Sequence, residues 1–327
     1  MIEKFYLGTY TKRKSKGIYS IKLDEKKEKL YDLKLEYEVN NPTYICKFED
    51  NIFSVSNEKN QGGISWFKDG KILAKNHHES STPCYIDYSK KHKLIATANY
   101  HTANICLYEI KNKKIILKSK ISNKNNEKIS HMHYSKFFDD IDCLFVCDLG
   151  KSKIITYKIE KNELTKVSEY KSDEKSGARH IVFHPQKNIC YLICELNSTI
   201  EILDFDKKNL TFKKINTVNL TEKNEKKWAS AIKITKNGKF LYASNRGDDY
   251  IFTFKIDSEG NLELIQKISS FGKVVRDFTL SKDEKYLIAG HQESDNLSLF
   301  KIEKEGKLLF LNNDTFAPEV VNIINNI

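Results

Sequence analysis

The sequence has little of what usually marks a secreted, membrane-bound or cofactor-dependent protein. No apolar run exceeds strand length, and the first residues, MIEKFYLGTY, contain no apolar signal core. A membrane-spanning helix and a secretory leader are thus not expected, and the chain reads as soluble and cytoplasmic. None of the seven cysteines forms a CxxC pair, and most lie inside apolar strand patterns, where a thiol behaves as a small buried hydrophobe. Neither a disulfide framework nor a metal site is expected from them, and no cofactor is implied. There is no GxSxG nucleophile elbow and no HExxH metal pair. Long stretches of 3.6-residue periodicity are also missing, so helices are minor at best. The net charge is +11, yet Lys and Glu are interleaved, as in DEKKEKL and TEKNEKKW. Without a concentrated basic block, nucleic acid is not an expected partner. The positive field instead favours a small anionic ligand held in a focused pocket.

What the sequence does contain is a repeat. Two to four apolar residues ending on a polar one recur as FYLGT (5–9), FSVSN (53–57), IATAN (95–99), LFVCD (144–148), YLICE (191–195), LYASN (241–245) and LIAGH (287–291). Their last residues, Thr9, Asn57, Asn99, Asp148, Glu195, Asn245 and His291, are spaced by 42 to 50 residues. A second strand follows each copy, among them GIYSIKL, NICLYEI and NLSLFKI. A period of this length with several short strands is the signature of propeller blades. Runs such as ICYLIC are apolar at successive positions, as a strand covered on both faces requires. The expected fold is an all-β, seven-bladed β-propeller of four-stranded blades, with residues 1–327 forming a single domain.

An innermost strand precedes each copy but the first: PTYICKF (42–48), PCYIDYS (83–89), HMHYSKF (131–137), RHIVFHP (179–185), SAIKITK (230–236) and RDFTLSK (276–282). The missing seventh is PEVVNII (318–324), so the C-terminal strand is expected to complete the first blade and close the ring. Pro42, Pro83 and Pro318 are read as first residues of inner strands, where a missing N–H is tolerated.

The fifth unit shows what this arrangement presents. Ile181 to Phe183 and Ile189 to Cys194 are separated by the turn cluster HPQKN, a hairpin signal. Arg179 and His180 stand before its first strand and Glu195 at the end of its second, so all three fall on one edge. The other blades add His101, His131, His133, Asn245, Arg246, Arg276 and His291 to the same mouth. Convergent polar groups around a concave opening are the default ligand site. Single Asn or Asp residues at strand ends have a simpler reading, the satisfaction of loop backbone. Three arginines with histidines and one carboxylate are harder to explain without an anion.

At these residues the chain resembles the seven-bladed propeller lactonase family, which includes propeller-type 6-phosphogluconolactonases and a fungal muconate-lactonising enzyme. The resemblance runs in order through GTYT (8–11), NPTY (41–44), ATANYHTANI (96–105), HMH (131–133), GARHIVFHP (177–185), ASNRGDDYI (243–251) and VRDFTLS (275–281). It implies an active-site set of a histidine, two arginines and a glutamate, matched here by His131 or His133, Arg179, Glu195 and Arg246. Arg276, on the same face, would be a fifth member, with His180, Asn245, His101 and His291 as substrate-binding residues. Ala178 and Val275 stand where the family usually has a proline before each arginine.

Lactone hydrolysis needs an activated water, stabilisation of charge at the carbonyl oxygen, and a proton for the leaving alkoxide. Glu195, His131 and His133 are all candidates for the base, and the guanidiniums for charge stabilisation and for binding a phosphate. The expected function is hydrolysis of 6-phosphoglucono-δ-lactone, an anionic sugar lactone, in the pentose phosphate route. The alternatives are a lactonase or cyclase for another carboxylated lactone, and a non-catalytic binding platform in which Glu195 merely pairs with Arg179.

Overall fold

The computed structural model describes residues 1–123, 129–222 and 225–326. Its strands form seven antiparallel sheets of four, and each innermost strand touches the innermost strands of the two neighbouring sheets. The result is a closed ring of seven blades, the all-β propeller expected from the repeat. Blades are numbered here by their place along the chain. The helical content among the described residues is one 3-10 turn, Asp139–Ile141.

Blade packing explains the apolar strands. The second strands Leu94–Ala98, Cys143–Asp148, Ile189–Cys194 and Tyr286–His291 are buried at every position, because each is covered by a blade on either face. Outer strands such as Lys114–Ser122 alternate exposed positions with buried or half-buried ones, as the rim of a blade requires. Cys143, Cys147, Cys190 and Cys194 lie in one apolar cluster with Phe145, Leu192 and Phe205. Each fully buried Leu or Phe there contributes on the order of 1.5–3 kcal/mol. All seven cysteines are free thiols.

The C-terminal strand Val320–Asn325 pairs antiparallel with Ile2–Thr9, with Phe5 opposite Asn325 and Leu7 opposite Ile323. Blade 1 is therefore built from both ends of the chain. Just ahead of that strand, Glu319 accepts backbone N–H bonds from Lys12, Arg13, Lys14 and Ser15 at 2.9–3.0 Å. One carboxylate thus fixes the loop that brings Tyr10 and Lys12 to the channel mouth. The prolines differ from expectation. The strands start at Ile45, Tyr85 and Val320, so Pro42, Pro83 and Pro318 belong to the lead-in segments and not to the strands. These segments bond outside their own ladders: the Pro42 carbonyl accepts from the Thr9 amide at 3.1 Å.

The upper ends of the inner strands share an irregularity that aims side chains into the channel. In blades 4, 5 and 7 one residue is inserted opposite the second strand: His133, Arg179 and Arg276 respectively. Each is the extra residue of a β-bulge, a device that re-aims a side chain at the rim of a sheet. Consecutive Arg179 and His180 consequently both line the channel, which the alternation of a regular strand would not allow.

Candidate active site

A cavity of about 360 Å³ opens at the mouth, between the blade 1 loop carrying Tyr10 and Lys12 and the tops of the other blades. Tyr100, His101, His133, Glu195, Trp228, Arg246 and Arg276 line it together with those two residues. Beneath it, a smaller void of about 30 Å³ is bounded by His133, Arg179, His180, Arg276 and Asp277.

Glu195 is the centre of the site. Its Oε2 lies 2.9 Å from Arg179 Nε and 2.8 Å from Arg246 Nη2, and its Oε1 accepts from Trp228 Nε1 at 3.1 Å. Burial pushes its pKa up, but Arg246, Arg179 and Arg276 outweigh that and hold the carboxyl below its usual value. It is ionised at neutral pH. An ionised carboxylate offers about four acceptor positions, so the three donors leave room for one more, such as a water in the cavity.

The three arginines have different surroundings. Arg179 is buried and also donates through Nη1 to the Ser230 carbonyl. Arg246 is buried with its guanidinium 4.3 Å from the Trp228 ring centre, and its Nε has no partner among the described residues. Burial, reinforced by the Arg276 charge, lowers its pKa to about 9 against the pull of Glu195, so it stays charged at neutral pH. Arg276 is half-buried, donates to Gln292 Oε1 at 3.3 Å and sits over the Tyr10 ring at 5.5 Å. Among the described residues it has no carboxylate partner. With one glutamate against Arg246, Arg276 and Lys12 in its lining, the cavity carries a surplus of positive charge.

The two candidate histidines of HMH are placed differently. His133 is buried, it lines the cavity, and its Nδ1 has no hydrogen-bond partner among the described residues. Burial, with Arg179, Arg276 and Arg246 nearby, holds its pKa well below the ordinary imidazole range. It is a neutral ring with a free polar atom at the site. His131 instead stacks on Tyr100 with ring centres 4.0 Å apart, its Nδ1 2.8 Å from the Tyr100 carbonyl oxygen. It faces a separate cleft of about 1020 Å³ lined by Leu149, Lys153, Lys171 and Leu196. The two histidines of HMH are parted by the bulge at His133 and do not share a cavity.

The other expected residues divide. His101 is at the exposed rim of the main cavity. His180 lies below it among Tyr85, Tyr134 and His133, and burial lowers its pKa well below the usual value. Asn245 and His291 do not line the cavity. Asn245 is fully buried and accepts from the Trp228 amide at 2.8 Å while donating to the Lys226 carbonyl at 2.8 Å. It holds the loop leading into the blade 6 inner strand. Asp148 does the same in blade 4, accepting from the His131 amide at 2.9 Å. His291 is buried under Gly272, where a Cβ would come within 2.2 Å of its ring, and its Nδ1 is 3.1 Å from the Asn296 carbonyl oxygen. Of the seven residues that end the repeated pattern, Glu195 alone lines the cavity.

Trp228 was not expected from the sequence. It precedes the inner strand of blade 6 in KKWAS, the position that His131 and Gly177 hold before theirs, and lies two residues ahead of the Ser230 start read from the sequence. Elsewhere, His78, Glu79 and Cys106 bring three potential ligand atoms within 4.8 Å, and none of them lines the cavity. Glu79 already accepts from Asn99, Thr102, Asn104 and Lys120.

Comparison with known proteins identifies relatives of the whole chain. The chain is 37% identical over 296 residues to an uncharacterised protein of Lactococcus lactis, spanning 86% of each. It is 30% identical over 293 residues to the 6-phosphogluconolactonase of Bacillus subtilis, with 84% of this chain and 83% of that protein covered. A crystal structure of a Lactobacillus plantarum protein superposes with a TM-score of 0.95 at 30% identity, over 99% of both chains. The profile of the family described as lactonase, 7-bladed beta-propeller, matches residues 4–324, and the chain therefore belongs to that lactonase family.

Proposed function

We propose that this protein hydrolyses an anionic sugar lactone, 6-phosphoglucono-δ-lactone, to 6-phosphogluconate, and serves the pentose phosphate route in the cytoplasm. The observation that carries the reading is Arg276. It lines the cavity with no carboxylate partner among the described residues, beside an Arg179–Glu195–Arg246 cluster that already has a net positive charge. A platform whose arginines were all neutralised internally would have no such surplus. A planar, permanently charged guanidinium suits a phosphate or carboxylate. The relative from Bacillus subtilis, which bears the name 6-phosphogluconolactonase, supports the substrate.

In this reading Glu195 takes a proton from a water at its fourth acceptor position as that water attacks the lactone carbonyl. The carbonyl oxygen gains negative charge, which the guanidiniums oppose. The ring C–O bond then breaks, and the proton held by Glu195 passes to the leaving alkoxide. His133, neutral and unpaired, orients the substrate by hydrogen bonding. Arg276→Met tests the anion site. The expected result is a KM raised at least about tenfold, the effect of losing one charge-assisted hydrogen bond, with weaker competition by inorganic phosphate. Unchanged phosphate competition contradicts the placement of the anion.

A further inference from the structure

We propose that Trp228 is a positioning residue that holds Glu195 and Arg246 in their reactive arrangement, a role that rests on the function assigned to Glu195 above. The Trp228 indole N–H donates to Glu195 Oε1 at 3.1 Å, the oxygen not engaged by the arginines. The face of the same ring lies 4.3 Å from the Arg246 guanidinium carbon. One side chain thus contacts both members of an ion pair, from blade 5 and blade 6. Its backbone is also fixed: the Trp228 amide donates to the buried Asn245, and its carbonyl accepts from the Arg246 amide at 3.1 Å.

The exposure of Trp228 separates it from a core residue. It is 46% exposed, whereas Glu195, Arg179 and Arg246 are each under 10%. A large aromatic ring kept half in solvent adds little to packing. By fixing one carboxylate oxygen, the indole restricts Glu195 to a single rotation and leaves its remaining acceptor position facing the cavity. A planar guanidinium stacked on the ring is likewise restrained in orientation.

Two variants separate the two contacts. Trp228→Phe keeps a ring beside Arg246 and removes the donor to Glu195; Trp228→Ala removes both. Glu195 is also faced by Arg179, Arg246 and Arg276 from blades 5, 6 and 7 and by the Tyr100 phenol from blade 3, all left in place. Trp228→Phe is expected to lower kcat about tenfold, the effect of one hydrogen bond to a charged group, with KM within about twofold. The acid limb of its pH profile should move to higher pH, because a donor to the ionised form is lost. Trp228→Ala should add a rise in KM through the loosened Arg246.

A readout independent of activity comes from the indole itself. The chain has two tryptophans, Trp66 and Trp228, so a nitrogen-15-labelled protein gives two indole resonances and Trp66→Phe assigns them. Glu195→Gln should move the Trp228 resonance upfield and leave Trp66 in place. A Trp228 resonance indifferent to Glu195→Gln overturns the proposal, and so does a Trp228→Phe enzyme with parental kcat and pH profile. If the parent hydrolyses no lactone, the proposed function fails, and the indole resonance by itself decides whether Trp228 holds Glu195.

Discussion

At the scale of single residues, Glu195 and the arginines around it are interdependent. Glu195→Gln preserves shape and removes the charge; it should reduce turnover by about two to four orders of magnitude, the range for losing a general base. If Glu195→Gln keeps near-parental turnover while His133→Asn abolishes it, the histidine is the base. His131→Asn should have a mild effect in either case, because His131 stacks on Tyr100 outside the main cavity. Arg179→Met and Arg276→Met should differ in kind. The first takes the guanidinium donor from the buried Ser230 carbonyl, while Glu195 keeps Arg246, and should destabilise the fold by about 1–3 kcal/mol; the second touches a half-buried arginine and should alter binding with little change in thermal midpoint. The arginines and Glu195 were legible in the sequence because charge at the end of an apolar strand has few bland explanations. Asn245 and His291 were misplaced because an amide or imidazole at a strand end can bond loop backbone equally well, and here both do.

At the scale of elements, the blade 1 loop at residues 10–16 depends on Glu319. Four amides converge on its carboxylate, and these bonds lower its pKa against the upward push of burial. The sign follows from linkage. A carboxyl whose folded pKa is depressed contributes stability that is present above the unfolded pKa and is lost as pH falls through the folded one. The loop should therefore hold at neutral pH and loosen as the pH falls below the ordinary glutamate range. Glu319→Gln should reproduce the loosening at pH 7, seen as faster hydrogen exchange at Lys12 to Ser15 and a higher KM, since Tyr10 and Lys12 line the cavity. Parental exchange in that segment would contradict the clamp. Strand order and the pairing of blade 1 could be read from the repeat, since apolar runs covered on both faces are distinctive. The bulges at His133, Arg179 and Arg276 could not. They depend on register between strands, and an inserted residue leaves no mark in a single sequence.

At the scale of the whole molecule, ring closure and the mouth cavity are linked, because Glu319 immediately precedes the strand that closes the ring. Removing residues 318–327 exposes the inner edge of blade 1 and releases the loop, so the truncated chain should unfold or aggregate. An unchanged thermal midpoint would contradict closure by Val320–Asn325. The central claim, that the cavity of this lactonase-family propeller hydrolyses a phosphorylated sugar lactone, is tested most directly by one coupled assay. Purified protein is added to freshly generated 6-phosphogluconolactone, and the rate is measured over spontaneous hydrolysis beside Glu195→Gln. The account predicts a protein-dependent rate that is saturable, competed by inorganic phosphate and largely lost in Glu195→Gln. A rate equal to spontaneous hydrolysis, or one that Glu195→Gln and His133→Asn both leave intact, would contradict it.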